Sequence, residues 1–283
     1  MYKILRREDL NEQVVLMEID APIVAKKCKA GQFIILRVNE QGERIPLTVA
    51  DYDREKGTVT IIFQIVGKTT KILSEKKQGE YIQDFVGPLG KASEIEGKKV
   101  AIIGGGLGCA IAYPQAKAFH EAGVEVDLIA GFRNKDFVIL EDEMSKACTR
   151  LHVVTDDGSY KEKALVTNKL EQLINEGNKY DVVIAIGPLV MMKFVCLLTK
   201  KYDIKTIVSM NPIMIDGTGM CGCCRVTVGG ETKFACVDGP DFDGHLIDFD
   251  EVIRRSKMYS IEERQSLEEH NHKCNLEGMN DGR

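Results

Sequence analysis

Val100-Ala101-Ile102-Ile103-Gly104-Gly105-Gly106-Leu107-Gly108 is a short apolar run followed at once by a glycine-rich turn. The run has the composition of a buried strand, and residues 107–122 after it predict a helix. Glycine at such a turn lets a backbone approach a phosphate, and a helix start favours negative charge. The pattern departs from Gly-x-Gly-x-x-Gly, because Cys109 and Ile111 stand where the last glycine is expected. A plain tight turn would have the same sequence, so the neighbouring segments must distinguish a nucleotide-binding turn from a plain one.

Four further strand-like runs follow the first, at residues 126–130, 151–154, 182–186 and 206–208, with helical segments such as 164–176 between them. Five buried strands joined by helical crossovers predict a doubly wound parallel sheet over residues 97–210. Within such a sheet the glycine-rich turn Gly104, Gly105, Gly106, Leu107, Gly108 (the glycine turn) favours nucleotide binding over a plain turn.

Other strand ends are expected at the same edge of this sheet. Gly187-Pro188 is a second change from strand to helix. Asp157 ends the third strand and is a candidate for a ribose contact, although a surface turn is an equal alternative. Arg133 follows the second strand, where an arginine could bind a 2′-phosphate and would argue for NADP.

Before this region, residues 1–96 predict an antiparallel β-barrel. Strand-like runs rich in branched residues occur at 13–19, 32–38 and 57–66, separated by short polar turns. A helix is predicted at 69–77, with Thr69 or Thr70 as its cap. Gly87-Pro88-Leu89-Gly90 then ends the pattern.

After the sheet, four possible ligands have the spacing of a plant-type [2Fe-2S] site. Asp216, Cys221, Cys224 and Cys236 are separated by four, two and eleven residues, as in Cys-x4-Cys-x2-Cys with a distant fourth ligand. Three glycines between the first ligands permit the tight path that wrapping a cluster requires. Residues 216–224, here called the cysteine loop, therefore predict an iron–sulfur site in a small domain at 211–244.

Three alternatives to this ligand set stay open. Cys223 could replace Asp216 as a ligand. Cys221, Cys223, Cys224 and Cys236 could instead form a structural zinc site, although only one Cys-x2-Cys pair is present. The cysteines could also be buried without any metal, since a free cysteine packs like a small hydrophobic residue.

The composition excludes several classes of protein. The formal net charge of the 283 residues is −5, without a basic stretch for nucleic acid. No apolar run approaches the length of a membrane span, and the first residues lack the apolar core of a signal peptide. Nine cysteines without an export signal favour a reduced, cytoplasmic location and metal chemistry over disulfides.

Four stretches in this order resemble the ferredoxin reductase-like electron-transfer subunits. They are Arg44-Ile45-Pro46-Leu47-Thr48, the run from Gln64 to Thr70, the glycine turn with Gly187-Pro188, and the cysteine loop. The best-known members serve dihydroorotate dehydrogenase B. Val49-Ala50-Asp51, the aspartate in the first ligand position and the extended tail resemble more closely the small subunits of NADH-dependent reduced ferredoxin:NADP+ oxidoreductases, also described as sulfide dehydrogenase beta subunits.

The resemblance implies FAD on the barrel, NAD(H) on the second domain and electron exit through the [2Fe-2S] cluster. No catalytic acid–base residues are implied, since the cofactors carry the chemistry. Members that serve dihydroorotate dehydrogenase often have arginine directly before the proline, where this chain has Ile45. The residues implied to bind FAD are Arg44, Pro46, Leu47, Thr48, Gln64, Ile65, Val66, Thr69 and Thr70.

The resemblance also implies a heterodimer with a larger flavin and [4Fe-4S] subunit that binds NADP(H), with ferredoxin reacting through the complex in electron bifurcation. Residues 245–283 have isolated apolar residues and a polar helix candidate; we expect a tail that docks on the partner and whose removal leaves FAD binding intact. The alternatives are the electron-transfer subunit of dihydroorotate dehydrogenase B and a zinc-stabilised nucleotide-binding regulator without turnover.

Overall fold

The strands between Tyr2 and Leu89 form the predicted barrel. This computed structural model describes the backbone of residues 1–280 and the side chains of residues 1–272. Seven strands pair antiparallel in the order β6-β1-β2-β5-β4-β3-β7 and curl into a nearly closed barrel. The strands are β1 Tyr2–Asn11, β2 Val14–Asp20, β3 Phe33–Arg37, β4 Arg44–Asp53, β5 Thr58–Gln64, β6 Tyr81–Ile82 and β7 Asp84–Leu89, with helices α1 Pro22–Lys27 and α2 Lys68–Glu75.

The second sheet is doubly wound, as predicted. Its order is β11-β10-β9-β8-β12-β13-β16, parallel except for the edge strand β16. The strands are β8 Lys99–Gly105, β9 Glu125–Phe132, β10 Arg150–Thr155, β11 Glu162–Lys163, β12 Val182–Ile186, β13 Lys205–Ser209 and β16 Asp241–Asp243. Its helices are α3 Gly108–Glu121, α4 Glu141–Lys146, α5 Val166–Asn175 and α6 Leu189–Lys201. The chain winds outward from β8 in both directions, so the switch point lies between β8 and β12.

A hairpin of β14 Arg225–Val228 and β15 Glu231–Phe234 follows the cysteine loop. Helices α7 Phe249–Ser256 and α8 Ser260–Asn280 complete the described chain. Within the described residues, no helix combines the length and apolar character needed to cross a membrane.

The structure corrects the predicted cap of α2. The residue before the first turn is Gly67, and neither Thr69 nor Thr70 occupies that position. Thr70 lies inside the helix and folds its side chain back, so that its Oγ1 accepts hydrogen bonds from the N–H groups of Val66 and Gly67, each at 3.0 Å. The hydroxyl of Thr69 donates to Glu43 at 2.5 Å.

The structure also divides the predicted tail. Phe249 and Val252 on α7 are buried in the core that α6 and β14 share, so this part is not an isolated arm. Met258 and Tyr259 remain exposed. Helix α8 packs against α2 of the barrel. We therefore expect only the exposed residues of the predicted tail, such as Met258 and Tyr259, to be able to dock on a partner.

Candidate flavin, nucleotide and iron–sulfur sites

The glycine turn lies at the switch point of the second sheet, beside Gly187-Pro188. The two strands that end there are paired, with Ile186 opposite Gly104. The N–H of Gly106 donates to the carbonyl of Gly131 at 2.8 Å, which ties the turn to the neighbouring strand β9. Ligands of doubly wound sheets bind in the crevice outside such a switch point. The structure thus brings together two of the predicted nucleotide-binding segments where the topology requires them.

Each glycine in this turn has its own physical reason. A Cβ on Gly108 would lie 2.3 Å from the carbonyl oxygen of Ile186, and one on Gly105 would lie 2.4 Å from the sulfur of Met191. These glycines let α3 and α6 approach the strand ends. Gly106 has a φ of +57°, and nothing lies within 4 Å of the position of its Cβ. The space beside Gly106 is therefore open to a ligand such as a phosphate, although its own N–H is bonded to Gly131.

The close packing explains why a glycine at position 109 is unnecessary. Cys109 is fully buried, and Gly104 makes the space for it, since a Cβ on Gly104 would lie 2.7 Å from the Cα of Cys109. The approach of helix to strand, which the last glycine of the usual pattern provides, is made here by Gly108.

Arg133 and Asp157 lie next to each other at the same edge, where the N–H of Asp157 donates to the carbonyl of Arg133 at 3.3 Å. The Asp157 carboxylate accepts hydrogen bonds from the hydroxyl and N–H of Ser159, which lower its pKa. It thus stabilises its own turn. The Arg133 guanidinium lies 5.7 Å from the centre of the Phe137 ring. Contacts of both side chains with a dinucleotide stay predictions.

The first half of β4 is the candidate flavin surface. Pro46, Leu47 and Thr48 are only partly buried, whereas Val49 and Ala50 directly after them are buried. Val66, at the end of the neighbouring segment, is 71% exposed. A barrel wall with a half-open apolar strip and a hydroxyl fits a planar ring system.

The turn between β5 and α2 fits the phosphates of FAD. Gln64 donates from its side chain to that of Gln13 at 3.1 Å, and the N–H of Ile65 donates to the carbonyl of Gln13 at 2.8 Å, so the strand end is fixed. The Thr70 hydroxyl fixes the turn by accepting hydrogen bonds from the N–H groups of Val66 and Gly67. The N–H groups of the first turn of a helix have no acceptor within that helix. Those of Lys68 and Thr69 can therefore bind a phosphate.

Arg44 makes a contact that the sequence does not predict. Its Nε donates to the carbonyl of Ile215 at 2.8 Å, and its Nη2 lies 3.5 Å from the carbonyl oxygen of Asp216. The resemblance implies a contact between Arg44 and FAD, but in the structure its guanidinium binds the start of the cysteine loop. No periodicity or motif signals a contact between residues 171 positions apart.

The cysteine loop also packs directly on the barrel. Gly217 has a φ of +85°, and its Cβ would lie 2.7 Å from Ile35 and 2.8 Å from Leu89. Farther along both segments, the N–H of Lys91, just after β7, donates to the carbonyl of Gly239, which follows the hairpin, at 2.7 Å. The candidate flavin strand and the candidate iron–sulfur loop are therefore adjacent.

The hairpin β14–β15 brings two of the predicted ligands together. The sulfur atoms of Cys224 and Cys236 are 3.2 Å apart, and both residues are buried. The N–H of Ala235 donates to the carbonyl of Cys224 at 3.0 Å, which fixes the pairing. Burial is the main cause that raises the pKa of Cys236 to about 12.

The other predicted ligands lie on the exposed side of the loop. The Oδ2 of Asp216 accepts hydrogen bonds from the N–H and hydroxyl of Thr218 and from the N–H of Met220. Cys221 is exposed and Cys223 is half-buried. The N–H of Cys223 is the main cause that lowers the pKa of Cys221. Across the residues whose side chains are described, no three His, Cys, Asp or Glu are arranged to hold a metal ion.

The donor set nevertheless suits an iron–sulfur cluster. Three thiols and a carboxylate lie in one loop and the hairpin after it, and the loop has three glycines in the left-handed region, at positions 217, 219 and 222. Such a backbone turns its N–H groups toward an anionic centre. Ligation by Asp216, Cys221, Cys224 and Cys236 stays a prediction.

An antiparallel barrel, a doubly wound sheet and a C-terminal cysteine loop, in this order, define a ferredoxin reductase-like electron-transfer protein. Residues 211–248 match the iron–sulfur cluster binding domain of dihydroorotate dehydrogenase B. A dihydroorotate dehydrogenase B (NAD(+)) electron transfer subunit homolog of Thermotoga maritima is 47% identical over 267 residues, which are 94% of each chain. The chain belongs to the family of these electron-transfer subunits and their homologues, which confirms the resemblance inferred from the motifs.

Two further comparisons extend this result. The "uncharacterized protein in adh 3′ region" of Clostridium beijerinckii is 55% identical over 272 residues, which are 93% of this chain and 92% of that protein. A chain in a structure of the NADH-dependent reduced ferredoxin-NADP oxidoreductase, described for flavin-based electron bifurcation, is 45% identical. It superposes with a TM-score of 0.90, covering 95% of this chain and 98% of that one.

Proposed function

We propose that this chain is the electron-transfer subunit of an electron-bifurcating NADH/ferredoxin:NADP+ transhydrogenase. It exchanges hydride with NAD(H) at FAD and passes single electrons through a [2Fe-2S] cluster to a larger partner subunit. The observation that carries this proposal is the hydrogen bond from Arg44 of β4 to Ile215, the residue directly before the cysteine loop. Likeness over nearly the whole length to a chain of the bifurcating oxidoreductase supports the choice of complex.

The cofactors supply the redox chemistry, because a bound flavin accepts a hydride and a [2Fe-2S] cluster takes one electron at a time. The chain binds and orients them. Pro46 and Leu47 would form the wall for the flavin ring, and the Thr48 hydroxyl would hydrogen-bond its edge. The first turn of α2 would bind the pyrophosphate. The thiols of Cys221, Cys224 and Cys236 and the Asp216 carboxylate would hold the iron.

The nucleotide site is held close to the flavin strand by direct contacts. Lys117 of α3, the helix that the glycine turn opens, forms an ion pair with Asp51 of β4 at 3.2 Å. NAD(H) would bind across the glycine turn and Gly187-Pro188. Arg133 at the same edge could bind a 2′-phosphate. We nevertheless propose NAD(H), following the relative's name, which specifies NAD(+).

The partner subunit would approach the exposed side of the cysteine loop. Two apolar side chains near Cys221 along the chain are exposed there: Met220 is 87% exposed and Ile215 is 48% exposed. Exposed apolar groups at one surface are typical of a protein interface. The proposed partner is a larger flavin and [4Fe-4S] subunit that binds NADP(H), and ferredoxin would react through the complex. We propose a cytoplasmic location for this heterodimer.

The main alternative is the electron-transfer subunit of dihydroorotate dehydrogenase B itself, which the names of the relatives favour. Asp216 counts against it, because a cysteine is expected as the first ligand there. Purification of the complex from its own cells and identification of the associated subunit separates the two. A flavin and [4Fe-4S] subunit supports the transhydrogenase, and a dihydroorotate-oxidising subunit contradicts it.

The isolated chain offers a direct test of the proposed chemistry. We expect it to contain FAD and a [2Fe-2S] cluster and to oxidise NADH with an artificial electron acceptor. Absorption spectra with flavin and iron analysis distinguish this from a zinc-stabilised regulator. Rapid reduction of NADP+ by reduced ferredoxin without a partner would contradict the proposal that the larger subunit binds NADP(H).

A further inference from the structure

A cavity of about 250 Å³ lies between the barrel and the C-terminal helix α8. The loop before β4 contributes Glu43, the start of α2 contributes Lys68, Thr69 and Ile72, and α8 contributes Glu269 and His270. It adjoins the turn at Gly67, where the FAD pyrophosphate is proposed to bind. The cavity is smaller than the roughly 300–1,000 Å³ pocket of a whole drug-sized ligand, and fits one end of an extended cofactor.

Helix α8 lies on the barrel by one face. Ser266, Leu267, His270 and Asn271 are partly buried, whereas Glu268 and Glu269 between them are exposed. Of these two glutamates, only Glu269 lines the cavity. This spacing places the four residues on one side of a helix. Lys71 on α2 donates a hydrogen bond from its Nζ to the side-chain oxygen of Asn271. The wall of the cavity that α8 forms is thus attached to the same helix that begins at the pyrophosphate turn.

The walls have the chemistry of a nucleoside monophosphate site. The Lys68 side chain and the first-turn N–H groups suit a phosphate. Carboxylates accept hydrogen bonds from ribose hydroxyls, and Glu43 and Glu269 stand on opposite sides of the cavity, on the barrel loop and on α8. Glu43 is already oriented by the hydroxyl of Thr69. Ile72 and the His270 ring supply a surface on which a purine can pack.

We infer that α8 completes the binding site for the adenosine half of FAD. This inference rests on the proposed function, since it takes FAD to be the cofactor of the barrel. It gives the C-terminal helix a role inside this chain in addition to any contact of residues 258–261 with the partner. It also contradicts the sequence-based expectation that removal of the tail leaves FAD binding unchanged.

The test compares FAD with FMN, which lacks the adenosine half. A chain that ends at Tyr259 retains α7 and its buried residues but lacks α8. After removal of bound flavin, dissociation constants for FAD and FMN are measured by flavin fluorescence for this chain and the full chain. We expect the dissociation constant for FAD to rise about tenfold, the equivalent of about 1.4 kcal/mol, while that for FMN changes less than twofold. Iron content serves as the control for folding.

A pair of adjacent glutamates provides the matched point variants. Glu269→Gln should weaken FAD binding about fivefold, because it removes a charged acceptor, and Glu268→Gln, which alters a side chain outside the cavity, should not. The inference is wrong if the shortened chain binds FAD within twofold of the full chain, or if FAD and FMN binding weaken equally. A full chain that binds no FAD would instead refute the proposed function.

Discussion

The glycine turn and the cysteine loop are both rich in glycine, but their glycines have different physical reasons. In the glycine turn, a Cβ on Gly108 would collide with the backbone carbonyl of Ile186 at 2.3 Å, and one on Gly105 would meet the side chain of Met191 at 2.4 Å. In the cysteine loop, the glycines at 217, 219 and 222 all have positive φ, and the contacts that a Cβ would make there are to side chains. The first segment is held by close packing, and the second by backbone conformation.

The two segments also differ in what stabilises them. The glycine turn is tied by its backbone to two strands of a parallel sheet. The cysteine loop depends on side chains: one oxygen of Asp216 accepts three hydrogen bonds, and Arg44 binds its first carbonyl groups. The glycine turn is therefore preformed, whereas we expect the cysteine loop to depend on its ligands and on the barrel.

The largest expected effect concerns the buried thiols. Replacing Cys236 by Ser or Cys224 by Ser should abolish the cluster, because these sulfurs are already adjacent at 3.2 Å and a hydroxyl is a poor substitute for a thiolate ligand. Iron and sulfide analysis of the purified protein checks this. Cys223→Ser is the matched control and should retain full iron content. Loss of iron in Cys223→Ser but not in Cys236→Ser would show that the ligand set is wrong.

The second effect concerns the close packing of the glycine turn. Gly108→Ala should destabilise the protein by about 3 kcal/mol, because the added Cβ meets backbone atoms of β12 and of the segment after it, which cannot rotate away. Gly106→Ala, in open space but at positive φ, should cost about 1 kcal/mol. Urea denaturation of both variants measures the difference. Equal losses would mean that conformation and not packing determines this turn.

The third effect tests the link between barrel and loop. Arg44→Ala should cost about 1 kcal/mol in unfolding free energy through the lost hydrogen bonds. It should also broaden the EPR signal of the cluster while leaving FAD content unchanged. Arg37→Ala is the matched control, since Arg37 is the partner of Arg44 across β3 and β4 but binds Asp84 within the barrel. Loss of FAD with an unaltered EPR signal would show that Arg44 binds FAD, as the resemblance implies.

Regular patterns account for the parts of the fold that the sequence predicts. The five runs of the parallel sheet and the main barrel strands are all present, because burial on both faces or alternation leaves a local signal. The three-residue strand β16 is too short for such a signal, and it joins the second sheet although it lies in the segment assigned to the cluster domain. Phe249 and Val252 look isolated along the chain, and only the packing of α6 and β14 shows their partners.

In the candidate sites too, features that depend on neighbouring residues could be predicted from the sequence, whereas contacts between distant residues could not. The spacing of the cysteines and the position of the glycine turn could be read directly, because their chemistry depends on neighbours along the chain. The contacts of Arg44 with the cysteine loop and of α8 with α2 join residues 171 or more positions apart. Such contacts follow from the assembled barrel and leave no mark on composition or periodicity.

The smallest effect is that of Asp216→Cys, and two further variants of the same residue separate its two possible roles. In the structure its carboxylate stabilises the cysteine loop by accepting hydrogen bonds within it. The spacing of the ligands predicts instead that the carboxylate binds iron as the first ligand of the cluster. Carboxylate and thiolate are both monoanions, so Asp216→Cys should retain two irons with the same formal charge. The spectrum and potential should shift, since the covalency at one iron changes.

Asp216→Ala and Asp216→Asn distinguish the two roles. Asparagine keeps an acceptor oxygen for the N–H groups of Thr218 and Met220, so it should preserve the loop but not a carboxylate ligand. If Asp216 binds iron, both variants lose iron and Asp216→Cys alone keeps it, with altered EPR g values. If Asp216 only holds the loop, Asp216→Asn keeps the iron content and EPR spectrum of the original chain, and ligation by Asp216 is wrong.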